Sequence, residues 1–385
     1  MKGKIMIRID TNGSENDSSN GGKVMKKRFL SVLTVAVMAA ATILTGCSGA
    51  QTAATTAAPA ATESKSDAAT TEAAKAESKT EAKAGDKKEI VVGFSQVGAE
   101  SDWRTANTES MKSTFTAENG YKLIFDDAQQ KQENQLKAVR NFIQQDVDYI
   151  VIAPVTETGW DTVLQEAKDA GIPVIIVDRM INVSDDSLYT AWVGSNFLQE
   201  GYDAVGWLDE YLKKTDRADK DINIVTIQGT IGSSAQIGRT NGVEEKMKDH
   251  PKWKMLERQT GEFTQAKGQE VMESFLKTYN NIDVVIAEND NMAFGAIDAI
   301  KAAGKTCGPK GDITVISFDA VAAAFDSMIA GDMNVSVECN PLHGPRVSEI
   351  IGKLEKGETV EKIAYVKEGV YPADTAAAEK PKRQY

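Results

Sequence analysis

The sequence predicts an α/β protein built from two Rossmann-like lobes, each a parallel sheet with helices on both faces. Three observations carry this. Short apolar runs alternate with amphipathic segments through residues 89–385, the pattern of strands and crossover helices. The rhythm breaks near residues 193–196 and then restarts at similar length. The roughly 300 residues involved are enough for two domains with full cores.

Strands and helices follow in order. A strand at 89–94 precedes a helix near 103–119, and 122–126 precedes 132–145. A third strand at 149–153 precedes a helix at 159–170, and 173–177 closes the first series. In the second series 223–228 precedes 234–250, 253–260 precedes 265–279, 284–288 precedes 291–303, and 314–317 precedes 321–330. Open α/β sheets bind ligands beyond the carboxyl ends of their strands, so the residues there are the functional candidates.

The region before residue 89 has a different character. Met25, Lys26, Lys27 and Arg28 lead into a 16-residue apolar run, 29–44, and then Thr45, Gly46 and Cys47. A basic start, a short apolar core and a small-residue site read as a secretory signal rather than a membrane span, with Cys47 as a lipid-attachment point. Residues 1–24 fit no part of such a signal and read as translated upstream sequence. Residues 48–88 are almost entirely Ala, Thr, Glu, Lys and Ser, too poor in apolar groups to order themselves. As flexible coil they form a tether of about 35 Å root-mean-square reach. The folded body is expected outside the cytoplasmic membrane, held near it by the lipid. A net charge of −12 argues against nucleic acid and anionic lipid as partners. Beyond Cys47 only Cys307 and Cys339 remain; a single bridge between them is left open, and a disulfide scaffold is excluded.

The strand ends carry groups suited to a polyhydroxylated small molecule. Glu100, Ser101, Asp102, Trp103 and Arg104 follow the first strand, and Asp178 and Arg179 the fourth. The second lobe offers Arg239, Phe263, Asn289 with Asp290, and Asp319. Adjacent hydroxyls both donate and accept, so carboxylates and guanidinium forks satisfy them, while the C–H face of a ring packs on an aromatic plane such as Trp103 or Phe263.

These residues sit in runs that resemble the periplasmic sugar-binding proteins of ABC importers, ribose/galactose type, and among them the galactofuranose-binding kind. The resemblance is carried by Val92-Gly93-Phe94-Ser95-Gln96-Val97-Gly98-Ala99-Glu100-Ser101-Asp102-Trp103-Arg104, Gln129-Gln130-Lys131-Gln132-Glu133-Asn134-Gln135, Ile152-Ala153-Pro154, Thr158-Gly159-Trp160, Ile172-Pro173-Val174 with Asp178-Arg179, Gln228-Gly229-Thr230, Lys267-Gly268, and Asn289-Asp290 with Met292. It implies a type I periplasmic binding protein fold with a multi-strand hinge. Lobe 1 is expected at 89–194 plus about 338–366, lobe 2 at 195–337 plus about 367–375, and a C-terminal tail at 376–385. It implies ligand contacts from Glu100, Ser101, Asp102, Trp103, Arg104, Asp178, Arg179, Arg239, Asn289 and Asp319, with Phe263 and Glu338 at further pocket positions. The implied partners are a monosaccharide and a permease with its cytoplasmic ATPase, with no nucleic acid, cofactor or metal, and the chain is expected to be a monomer. A sensor docking on a membrane receptor is the alternative; a transcriptional regulator on the same core would need a basic helix-turn-helix before residue 89.

The departures narrow the ligand. Trp103-Arg104 stand where the ribose-type pattern has two Phe, and Ala153 replaces an Asn, which disfavours ribose. Glu338 replaces a Gln. The galactofuranose-type run has Gly at Asp102, so its side chain is expected to face solvent. Four acids, Glu100, Asp178, Asp319 and Glu338, stand against Arg104, Arg179 and Arg239, which favours an uncharged sugar. Competing plain readings are core packing for Trp103, Phe263 and Trp160, a surface ion pair for Asp178-Arg179, solvation of Arg239, and hinge roles for Glu338 and Cys339. Asp290 is expected to cap a helix while Asn289 faces ligand. With two histidines and neither Gly-x-Ser-x-Gly, His-Glu-x-x-His nor a phosphate-binding loop, an enzyme is not expected.

Overall fold

A computed structural model describes residues 89–385; the signal, Cys47 and the tether fall outside the described residues. The first five strands are β1 (Ile90–Gln96), β2 (Tyr121–Asp127), β3 (Tyr149–Ile152), β4 (Val174–Val177) and β5 (Ala191–Gly194). The next five are β6 (Ile222–Gln228), β7 (Trp253–Thr260), β8 (Val284–Ala287), β9 (Thr314–Asp319) and β10 (Val335–Glu338). Two short strands, β11 (Ile363–Tyr365) and β12 (Val370–Pro372), complete two six-stranded sheets of order β11-β5-β4-β3-β1-β2 and β12-β10-β9-β8-β6-β7. Every pairing is parallel except β10 with β12.

Central strands are buried on both faces, as their unbroken Val/Ile runs require. In β3, Ile150 and Ile152 pack on one side of the first sheet while Tyr149 and Val151 pack on the other. In β8, Val285 and Ala287 face one core of the second sheet and Val284 and Ile286 the other. Trp160 is fully buried in the first lobe's core, away from the ligand cavity described below.

The covering helices are α1 (Asp102–Thr114), α2 (Gln132–Gln144), α3 (Asp161–Asp169), α4 (Phe197–Lys214), α5 (Ser234–Met247), α6 (Gln265–Thr278), α7 (Asp290–Ala302), α8 (Ala322–Ala330), α9 (Gly344–Leu354) and the short α10 (Ala376–Glu379). None of them is long and apolar enough to cross a membrane. Helices α4 and α9 have no counterpart in the sequence reading. Asn196 caps α4 through its side chain, and Phe197, Gly201, Ala204, Val205, Leu208 and Leu212 form its buried stripe.

Helices α6 and α7 pack almost backbone to backbone. A Cβ on Gly295 would lie 2.1 Å from the Gln265 carbonyl oxygen. Gly295→Ala should therefore cost on the order of 1–3 kcal/mol as the helices are forced apart, read as a lower urea midpoint. An unchanged midpoint would show that the helix pair yields freely.

The chain passes between the sheets three times, at residues 195–196, 339–343 and 366–369. Residues 376–385, set apart in the sequence as a tail, pack on the second lobe. Ala376 is buried and Ala322 N donates to the Tyr385 carbonyl.

Candidate ligand-binding site

The carboxyl ends of both sheets face one cavity, lined by Glu100, Ser101, Trp103, Arg104, Asp178, Arg179, Phe197, Ala235, Arg239, Phe263, Asn289, Asp319 and Cys339. Ten of the twelve sequence candidates line it. The lobes meet around it: Asp102 N donates to Asn291 Oδ1 at 3.0 Å, Met180 N to Ser234 Oγ at 2.7 Å, and Glu157 N to Gly232 O at 3.0 Å.

In the first lobe, Ser101 caps α1 by accepting from Arg104 N, which turns Trp103 and Arg104 inward. The Arg104 guanidinium lies 3.0 Å from Glu100 Oε1 and 2.8 Å from Asp178 Oδ2, and 4.6 Å from the Trp103 ring centre. Trp103 is itself held by its indole N–H donating to Cys339 O at 2.6 Å. Arg179 is less well served. Its one hydrogen bond runs from Nη1 to Val155 O at 3.1 Å, and its nearest carboxylate oxygens, on Glu100 and Asp178, are 3.7 and 3.9 Å away. Burial and the neighbouring Arg104 charge lower its pKa to about 10, which leaves it cationic at neutral pH.

In the second lobe, Arg239 is more fully engaged. It donates to Glu200 Oε2 at 2.6 Å and to Glu288 O, approaches Asp319 to 3.5 Å, and lies over the Phe197 and Phe318 rings. The Phe263 ring covers Arg179 with its centre 5.0 Å from Cζ. Gly229 is required beneath it, because a Cβ there would fall 1.9 Å from Phe263 Cζ.

Backbone strain gathers at the same points. Asp178, Phe263 and Asp319 have φ of 63°, 62° and 108°, left-handed values that non-glycine residues adopt only where the surroundings compel them. Each stands at or beyond a strand end and turns its side chain into the cavity.

Several buried polar atoms lack a hydrogen-bond partner. Glu100 Oε2 accepts no hydrogen bond, whereas Asp178 Oδ2 is held by Arg104 at 2.8 Å. An unpaired atom of this kind costs about 1–3 kcal/mol unless something donates to it. A lone carboxylate oxygen near a guanidinium with spare N–H groups suits a hydroxyl, which both donates and accepts.

Two candidates do not face the cavity, and one helix cap falls to the neighbouring residue. The Asp102 side chain is exposed, and its part is the backbone contact to Asn291. Glu338 points away because Arg383 Nη2, the Tyr385 hydroxyl, the Tyr371 hydroxyl and Gly369 N all donate to it. Asn289, not Asp290, caps α7, accepting from Met292 N and donating to Phe263 O. Asp290 lies beneath, accepting from Ser317, Ser336 and Val321 N. Phe197, Ala235 and Cys339 line the cavity without having been singled out as contacts. Both Cys307 and Cys339 are free thiols.

Glu288, next to Asn289, accepts from Gly229 N and Thr240 Oγ1, yet burial pushes its pKa up to about 7. A carboxyl whose pKa is raised in the folded state stabilises the fold below its unfolded value of about 4.3 and loses that contribution as pH rises through 7. The melting temperature should fall over this window, and Glu288→Gln should flatten the fall. An equally steep fall in the variant would rule Glu288 out as its source.

This architecture, two parallel doubly wound sheets crossed three times with the cavity between their carboxyl ends, is that of the periplasmic binding proteins. The chain belongs to that family: residues 92–343 match its domain model, described as periplasmic binding protein domain. Membership makes it an extracytoplasmic protein whose relatives bind and transport rather than catalyse. Among individual relatives, it is 45% identical over 299 residues to the galactofuranose-binding protein of Escherichia coli (strain K12), covering 77% of this chain and 92% of that one. A Mycobacterium smegmatis structure in complex with β-D-fucofuranose is 44% identical with a TM-score of 0.73, covering 77% of this chain and 95% of that one. The periplasmic binding component of the arabinose ABC transporter from Shewanella sp. ANA-3, bound to α- and β-L-arabinofuranose, is 46% identical with a TM-score of 0.72, covering 77% and 96%.

Proposed function

We propose that the protein captures an uncharged monosaccharide in its furanose form by hinge closure and delivers it to an ABC permease. The observation that carries this is the cavity wall, which sets three acids against three guanidinium groups and divides them between the two lobes. With Glu338 turned away, the lining charges balance, so an anionic sugar finds no surplus positive charge to receive it. Trp103 and Phe263 supply apolar planes, and Glu100 and Arg179 the unmet acceptor and donors. The relatives bound to fucofuranose and arabinofuranose support the ring form.

The division of the wall between the lobes supplies the mechanism. Sugar held by Glu100, Trp103, Arg104, Asp178 and Arg179 gains Arg239, Phe263, Asn289 and Asp319 only when the second lobe swings over it. Ligand then favours the closed form through contacts the open form lacks. A carrier rather than an enzyme fits a wall whose carboxylates are paired with guanidinium groups. The basic start, short apolar core and Cys47 support a lipid anchor that keeps the carrier at the membrane.

Calorimetric titration against L-arabinose, D-galactose, D-ribose and arabinose 5-phosphate tests the reading. One site per chain for arabinose or galactose, with ribose and the phosphate weak, is expected. Preferred binding of the phosphate would overturn the charge argument, and binding of none would overturn the ligand class.

A further inference from the structure

One residue cluster adjoins the sugar cavity through Cys339, where all three inter-lobe crossings come together. Ser195 belongs to the first crossing, Cys339 and Asn340 to the second, and Glu368 to the third. Ser195 Oγ donates to Glu368 Oε1 at 2.5 Å and lies 3.2 Å from Cys339 Sγ, and Asn340 N donates to the same Glu368 oxygen at 2.7 Å. Glu200, in the first turn of α4, adds a second carboxylate. A donor atom from each of Glu200, Cys339 and Glu368 lies within 4.8 Å of the other two. Glu200 is 2% exposed, and its Oε1 has no hydrogen-bond partner although Oε2 is held by Arg239.

We propose that Glu200, Cys339 and Glu368 form a binding site for a divalent cation of the zinc class, which clasps the three crossings together. The three donors come from α4 and from two different crossings and converge on one place, while Arg239 is engaged by Glu200 Oε2 and Asp319. One thiolate with two carboxylate oxygens suits a borderline ion such as Zn²⁺ and not Ca²⁺ or Mg²⁺, which take oxygen donors only. Tetrahedral Zn²⁺ holds its donors about 3.3–3.8 Å apart, so the side chains need to close by about 1 Å. Ser195 Oγ, 3.2 Å from Cys339 Sγ, stands near enough to complete the shell. On binding, the Cys339 S–H bond breaks, the sulfur keeps the electron pair and donates it to the ion, and the proton passes to solvent. The donors are far apart in sequence, which is why no ligand-spacing motif announces the site.

The test uses the full chain, freed of metal by chelation and titrated with Zn²⁺ or Cd²⁺ alone. Calorimetry should find one ion per chain, and Cd²⁺ should produce the ultraviolet charge-transfer band of a cadmium–thiolate bond. Cys339→Ser should abolish the band, Cys47→Ser and Cys307→Ser should retain it, and Glu368→Gln should weaken binding by about tenfold or more. If Cys339→Ser does not fold, the unsubstituted chain still decides: Zn²⁺ should slow alkylation of Cys339 and leave Cys307 unaffected. No ion bound, a band that survives Cys339→Ser, or equal alkylation rates would overturn the proposal. None of these readouts involves sugar, so their failure leaves the carbohydrate reading standing.

Discussion

Arg179→Ala should weaken sugar binding by about 2–5 kcal/mol, some thirtyfold to several thousandfold in Kd, while leaving the fold close to its original stability. The asymmetry follows from what Arg179 touches. It is buried against the Phe263 ring, yet spends one hydrogen bond on Val155 O and stands 3.7–3.9 Å from the carboxylates of Glu100 and Asp178. Its free N–H groups are the ones a hydroxyl oxygen can accept from. Removing it deletes those contacts and leaves sugar oxygens desolvated with nothing to pair them. Glu100 and Asp178 keep Arg104 at 3.0 and 2.8 Å, so the folded chain without sugar loses little. Calorimetry with the preferred sugar, beside a urea melt of the same variant, separates the two effects. Unchanged affinity would remove Arg179 from the ligand contacts.

Much of this site was legible in the sequence because strand ends are legible. Asp178-Arg179 follows a Val/Ile run too apolar to be a surface strand, and Asp319 follows another, so the end of each run marks a position facing the cleft. The misses have equally local causes. Phe197 opens a helix with no strand read before it, although Asn196 ahead of a 3.6-residue apolar stripe marks the start of α4, and Ala235 lies beyond the loop after its strand with no polar group to single it out. Glu338 does end a strand, and the rule points it at the ligand. Arg383 and Tyr385, more than forty residues on, turn it aside, and no spacing rule reports such a long-range partner. Asn289 and Asp290 are both good capping types. Two serine hydroxyls from β9 and β10 claim the aspartate, which leaves the asparagine to cap.

The second large effect belongs to Arg239, and it falls on stability. Arg239→Ala should cost about 3–5 kcal/mol, because removing one member of a buried charge cluster strands the others. Arg239 is the one guanidinium that Glu200 and Asp319 share in ion pairs, at 2.6 and 3.5 Å, and it also holds the Glu288 carbonyl at the end of β8. Burial alone would lower its pKa; the surrounding acids, Glu200 foremost, outweigh this and hold it firmly cationic. Burial likewise pushes Asp319 and Glu200 upward, opposed chiefly by Arg239. Without it both acids should take up protons, so the variant's remaining stability should fall more steeply than the parent's as pH rises above the ordinary carboxylate range. The sign follows from the raised carboxyl pKa values, which make the folded form bind protons more tightly than the unfolded one. Arg239→Met restores bulk between Phe197 and Phe318 but no charge, and should recover only the packing share of the loss. Urea melts of both variants at rising pH check the account; full recovery in the methionine variant would assign Arg239 to packing and overturn the electrostatic role.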